Sequence, residues 1–375
     1  MNLSFSEEQN MLKDSVARFV ADQYDFETRR KIADSAEGFS RENWQTFAEL
    51  GWLSIPFSEE LGGFGGGAAD TMVVMEEMGK GLVVEPFVAT VLLFGGLLSK
   101  AGSEAQQQEL IGKIIEGQLQ GTFAFLERQS RFEIADILTT AKAEGDSFIL
   151  NGEKTVVMNG ANADKLIVSA RTSGAQSDEQ GISLFLVDAN ADGVEKVSYK
   201  LMDGQLVANI KLNGVTGELV GEQDKAFDAI QAVVNDVMVA VSAEALGIME
   251  KLVMTTIEYA KTREQFGITI GKFQALQHRM VEMFMAGEQT KSLLYRAVCS
   301  LEGNSEDAQK DILALKVMVG RAGKQIGGEA IQMHGGMGIT DELDVGHYVK
   351  RLMTINTLFG DADYQQQRFE ALTNA

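Results

Sequence analysis

The sequence predicts a mainly α protein with a central β domain. Its parts are an N-terminal helical domain (residues 1–120), a middle β barrel or sandwich (121–224) and a C-terminal four-helix bundle (225–375). Three observations carry this. Apolar residues recur at helical spacing in the first and last segments. The middle segment switches to short β-prone runs separated by turn signals. Only two prolines occur in 375 residues, which leaves long helices unbroken.

The N-terminal helices come first. Ser6-Glu-Glu-Gln9 has the form of a capping box, and Met11, Leu12, Val16, Phe19 and Val20 follow on one face. A second helix is expected from Ser40. A run from Leu61 to Gly67, five of its seven residues glycine, interrupts the pattern. Helices are expected again over 70–78, 89–98 and 104–116. Strands are expected over 121–126, 137–143, 147–151, 165–170, 182–187 and 205–211, with Glu144-Gly145-Asp146, Asn-Gly and Asp-Gly as turns between them. So many short strands suit a small barrel or sandwich. The ranges 226–262, 273–301, 305–334 and 342–359 read as long helices with short links, as in an antiparallel bundle.

Composition narrows the function. This length calls for two or three domains. With 33 basic and 54 acidic residues the net charge is −21. No basic stripe suits nucleic acid, and the charge disfavours an anionic membrane surface. Any site for an anionic cofactor must therefore be locally basic. Cys299 is the only cysteine, so no internal disulfide forms. The N-terminus lacks a basic segment followed by an apolar one, and no run is apolar enough for a membrane span. A cytoplasmic location is expected.

Several motifs have competing readings. Arg263 closes a helix, where a cation complements the dipole, yet a guanidinium fork also suits a pyrophosphate. Gly335-Gly336-Met337-Gly338 either caps a helix or lets a ligand approach the backbone. The glycines at 62–67 lack the Lys-Ser/Thr of a phosphate loop and read as a structural turn. The three histidines, His278, His334 and His347, lack the Glu-x-x-His spacing of a di-iron bundle, so no metal is expected. No Gly-x-Ser-x-Gly elbow is present.

The run Tyr259-Ala-Lys-Thr-Arg263-Glu-Gln265-Phe266-Gly267, continuing to Phe273-Gln274, resembles a signature of the acyl-CoA dehydrogenase family. A second signature follows as Gln332-Met-His-Gly335-Gly336-Met-Gly338. The resemblance spans nearly the whole chain. It implies FAD as cofactor, an acyl-CoA thioester as substrate and an electron-transfer flavoprotein as acceptor. It maps Arg263 onto the FAD diphosphate, usually across a subunit boundary, and Gln265, Phe266, Gln274, Gln332, Gly335 and Gly336 onto other FAD contacts. A homotetramer, or a heterotetramer with a related chain, is implied.

The resemblance also shows departures. The family places Trp and Thr against the flavin where this chain has Val156 and Met158. Its Thr-Glu-Pro-x-x-Gly-Ser-Asp loop corresponds here to Leu126 through Glu133. Its basic Glu follows an aromatic residue that matches Phe359, expected to contact substrate, and at that Glu position stands Gly360. Asp361, one residue later, is the expected catalytic base, with helix capping as its alternative role. Asp236 is a second candidate, and Glu244 is expected to be structural. The 358–363 run and the 126–133 loop resemble the small subunits of pimeloyl-CoA dehydrogenases and related paired enzymes. A silent partner subunit and a flavin oxidase or monooxygenase are the alternatives.

Overall fold

In the computed structural model, which describes residues 5–145 and 147–374, Ser6 caps the first helix. Its hydroxyl accepts the Gln9 N–H, and the Gln9 side chain accepts the Ser6 N–H, so two orphan donors are met. This helix is α1 (Glu7–Gln23). It is followed by α2 (Phe26–Asp34), α3 (Arg41–Glu49), α4 (Ala68–Gly81), α5 (Gly96–Ala101) and α6 (Glu104–Ile115). The sequence reading missed α2. The helix expected over 89–98 begins as a π-helical segment (Val88–Gly95) leading into α5. There the buried Thr90 hydroxyl bonds the Gln120 side chain and the Gly121 carbonyl.

The glycine run is a structural turn. The amides of Gly63, Phe64, Gly65 and Gly66 donate to carbonyls of Ser58, Ser54, Phe57 and Ile55. None of these four is left for a phosphate.

The middle segment holds β1 (Gly121–Ala124), β2 (Thr140–Glu144), β3 (Ser147–Met158), β4 (Lys165–Arg171), β5 (Ile182–Asp188), β6 (Val194–Lys200) and β7 (Leu206–Val220). β4 pairs with both β2 and β5, β5 with β7, β7 with β3, and β3 with β2. That circuit closes a barrel around Leu150, Val157, Leu166, Val168, Phe185 and Ile210. The β2–β3 hairpin forms as expected, although Asp146 of its turn lies outside the described residues. Two Asn-Gly pairs are not turns. Asn151-Gly152 and Asn213-Gly214 lie within β3 and β7, where the register shifts and the Asn151 side chain accepts the Gly214 N–H. Both strands are therefore longer than the sequence predicts. Edge strand β6 escaped prediction because it is mostly exposed and pairs only with β7.

The C-terminal helices are α7 (Phe227–Thr262), α8 (Gln274–Glu302), α9 (Ala308–His334), α10 (Asp344–Thr357) and α11 (Ala362–Asn374). A two-stranded hairpin, β8 (Glu264–Gln265) and β9 (Ile268–Thr269), links α7 to α8. α9 packs against α8, α10 and α11. By length and composition α7 is apolar enough to cross a membrane, yet 83% of its most apolar stretch is buried in the protein. By packing the chain divides into two units. One comprises Met1–Arg30, Ala68–Val83 and Met238–Ala375, and the other Lys31–Gly67 and Val84–Val237.

Within the first unit α4 meets α7 backbone to backbone. A methyl on Gly247 would overlap the Glu76 carbonyl, and one on Gly79 would overlap the Glu244 carbonyl. Alanine is the better helix former by about 0.5–1 kcal/mol. Here the clash wins, because neither carbonyl can move without its helix. Gly247→Ala is expected to destabilise by at least about 1–3 kcal/mol, read as a lower urea midpoint. An unchanged midpoint would show that the crossing is looser than described.

Candidate active site

Two of the motifs meet at the ends of long helices in the first unit. α7 ends at Thr262 and α9 at His334, and the Tyr259 ring stacks on the His334 ring with centroids 4.3 Å apart. That contact brings the Arg263 segment beside the Gly335 segment. Arg263, Gln265 and Gln274 are exposed, and Phe266 is 93% exposed at φ 56°. A bulky residue with positive φ, its ring in water, is an outlier that a surrounding ligand or subunit would justify. Among the described residues no carboxylate lies within ion-pair reach of Arg263, although the chain is strongly acidic. The Arg263 guanidinium is thus available to an anionic ligand.

Gln332, Gly335 and Gly336 are exposed. Gly335 has φ 61°, and a Cβ on either glycine would meet nothing within 4 Å. The two glycines open a 3-10 turn (Gly335–Ile339), and α10 begins at Asp344, two residues inside the expected range of 342–359. An unpaired guanidinium, exposed glutamine side chains and open backbone fit a diphosphate.

The turn between α10 and α11 carries Phe359, Gly360 and Asp361. Phe359 has φ 59° and Gly360 φ 105°, so two consecutive residues are left-handed. A Cβ at position 360 would overlap the Tyr364 ring and the Gln365 amide, which explains the glycine. Asp361 is half-buried, and its Oδ1 accepts the Tyr364 N–H at 2.9 Å, capping α11. Among the described residues its second oxygen has no hydrogen-bond donor. The capping role is therefore real, and it leaves one oxygen for chemistry.

Sequence reasoning overlooked the buried Lys316 below this turn. It donates to the carbonyls of Ile355 at 2.7 Å and Asn356 at 2.9 Å. Burial pulls its ammonium down to about 7, against the raising field of Asp361. The signal was present as a lone lysine inside the apolar run Ile312-Leu-Ala-Leu-Lys316-Val-Met-Val. Glu244 is structural, as expected. Its carboxylate takes two bonds from Arg351, of 2.5 and 2.7 Å, and both residues are 4% exposed.

In the second unit Asp236 is raised by burial, and Lys100, at 3.2 Å, opposes that shift. Met158 on β3 is half-buried, and its carbonyl accepts the Thr122 hydroxyl. Val156, two residues earlier, is held at φ 52° where β3 bulges against β7. A β-branched residue seldom adopts that conformation, and its N–H bonds the Asn209 side chain at 3.2 Å. The 126–139 loop is gathered on the buried Glu127, which accepts the N–H groups of Leu138 and Thr139 and the Lys154 ammonium. Among the described residues no group of three or more His, Cys, Asp or Glu could hold a metal ion.

Family models match three consecutive segments: acyl-CoA dehydrogenase N-terminal domain (residues 6–118), middle domain (122–209) and C-terminal domain (227–369). One relative, the caffeyl-CoA reductase-Etf complex subunit CarC of Acetobacterium woodii, is 28% identical over 96% of this chain and 97% of its own. The structure of PigA with FAD and proline matches at 26% identity and TM-score 0.92, covering 100% of this chain and 99% of PigA. A chain of the ChsE4-ChsE5 complex from Mycobacterium tuberculosis matches at 25% identity and TM-score 0.90, with 100% and 99% covered.

Proposed function

The chain belongs to the acyl-CoA dehydrogenase family, and from that premise we propose that it oxidises an acyl-CoA thioester to the trans-2-enoyl-CoA. The observation that carries this is the unpaired Arg263 beside the open Gly335-Gly336 turn, a fitting cradle for a dinucleotide. FAD is the cofactor in this reading, as PigA is known in complex with it. When bound it would accept hydride from the substrate β-carbon. Arg263 would hold its diphosphate, and Gln265, Phe266, Gln274, Gln332, Gly335 and Gly336 would complete its binding surface. Met158, in the second unit and next to the strained Val156, is proposed separately to face a flavin ring without offering a hydroxyl.

Asp361 would take the α-proton. Its Oδ1 stays on the Tyr364 amide, so the cap fixes the carboxylate while the other oxygen works. Phe359 would line the acyl group. An electron-transfer flavoprotein is the proposed acceptor, in keeping with a relative named as a subunit of an Etf complex.

Asp361→Asn isolates the base from the cap, because asparagine caps a helix as well as aspartate does. The variant should fold and hold FAD like the parent. Anaerobic mixing with butyryl-, octanoyl-, pimeloyl- and steroid-side-chain CoA esters should bleach the parent's flavin, and the variant's about 10²–10⁴-fold more slowly. Bleaching at the parental rate would exclude the role.

A second reading has its own support. Phe266 and Ile339 are 93% and 76% exposed, and Val281, Phe284 and Met285 form an apolar stripe on α8. Such surface supports a protein–protein contact. We propose a homotetramer or a heterotetramer, and ChsE4-ChsE5 is a two-chain relative. With glycine at 360, this chain would then complete a companion's FAD site rather than run its own chemistry. Flavin that binds or bleaches only after a related chain is added would favour that reading.

A further inference from the structure

Two consecutive left-handed residues, one of them phenylalanine, form a turn that does not persist unaided. Three side chains hold it. The Gln365 amide, 0% exposed, donates to the Phe359 carbonyl. The Asn356 side chain accepts the Ala362 N–H at 3.3 Å. Lys316, also 0% exposed, donates to the last carbonyls of α10, one of them that of Asn356 itself. Gly320, one turn along α9, lies so close that a Cβ would overlap the Asn356 side chain and crowd Ala362. One face of α9 therefore presses on both ends of the turn.

We propose that Lys316 is a positioning residue, which fixes the 356–362 turn and through it the placement of the Asp361 carboxylate. A side chain that donates twice is needed, because the two carbonyls end a helix and carry its negative pole. Buried out of water, they lose their partners if the ammonium is removed. The ordering passes from Lys316 to the Asn356 carbonyl, then from the Asn356 side chain to the Ala362 amide. It reaches Asp361 from the other side through the capped Tyr364 amide. An uncharged residue of the same length would fill the space and leave the turn free to shift. The field of Asp361 acts on the Lys316 ammonium and raises it. The proposal rests on the reading of Asp361 as base only for its catalytic consequence. The lock itself is tested without substrate.

The test uses Lys316→Met, which keeps the volume and removes the donor, with Lys316→Gln as a second variant that retains a neutral donor of shorter reach. Hydrogen exchange at the amides of Ala362, Tyr364 and Gln365 is expected to quicken about tenfold in Lys316→Met, and less in Lys316→Gln. Amides in the middle of α8 should be unaffected. With a CoA ester that bleaches the parent, flavin reduction should slow by about 10²-fold while KM and FAD content hold. If Lys316→Met does not fold, Lys316→Gln alone decides through the same amides. Unchanged exchange overturns the proposal. Faster exchange with parental flavin reduction reduces Lys316 to a cap of α10 and overturns the positioning role. Faster exchange together with a fully active Asp361→Asn leaves the lock standing and removes Asp361 as base.

Discussion

Glu244→Gln is expected to destabilise the protein by about 3–5 kcal/mol, because it removes the carboxylate that forks the buried Arg351 guanidinium. The geometry makes the loss severe. Both carboxylate oxygens are used, one by Nε and one by a terminal nitrogen of Arg351, so a neutral amide cannot reproduce the fork. Both residues are 4% exposed, so water cannot substitute. The pair ties α7 to α10, and the Glu244 backbone is itself the surface against which Gly79 of α4 packs. A control separates charge from packing. Glu244→Met combined with Arg351→Met should recover much of the loss, since apolar replacement of a whole buried pair is close to neutral. Urea midpoints of the three variants decide it. A Glu244→Gln midpoint equal to the parent's would mean that the pair contributes nothing.

The parts legible in sequence were those governed by local rules. The capping box at Ser6 depends on residues three apart, and it forms. The long helices are bounded by glycine and unbroken by proline, so α7 through α10 lie close to their expected ranges. Cross-strand geometry was not legible. Asn151-Gly152 has the composition of a turn, but it continues β3 opposite a bulge at Gly214 of β7. At the candidate site, the residue types in the two signatures could be read, and so could the missing Glu at position 360. The reason for that glycine lay in Tyr364 and Gln365, whose approach is a property of the folded turn. Lys316 was overlooked for the same cause. Helical periodicity classes a residue as inside or outside, and a lysine whose stem is inside breaks the rule without announcing its partners.

Glu127→Gln is expected to cost a similar 3–5 kcal/mol and to do so in a pH-dependent way. The Lys154 ammonium is 0% exposed, and Glu127 is its ion-pair partner at 2.8 Å. Burial alone would push the Glu127 carboxyl up. The field and hydrogen bond of Lys154, with the bond to Thr139, outweigh it and hold the carboxyl at about 2. Burial draws the Lys154 ammonium down to about 8, despite the raising effect of Glu127. The sign follows from which state binds more protons. Because the folded carboxyl is depressed below its usual 4.5, its contribution is complete above that value and is lost as pH falls toward 2. Between about 8 and 10.5 the unfolded chain keeps the lysine proton longer than the folded one, so the cost of the buried ammonium is relieved as pH rises. The gap between parent and variant should therefore narrow as pH falls from about 4.5 toward 2, where the parent loses its carboxylate and the variant has none to lose. Urea midpoints measured across that range test it, and a gap that is flat with pH would assign the loss to packing of the 126–139 loop instead. The location of the pair ties stability to function. Glu127 gathers the loop that corresponds to the family's Thr-Glu-Pro-x-x-Gly-Ser-Asp loop. If that loop contacts flavin in this chain, the variant should also hold FAD less tightly, visible as lower flavin content after gel filtration.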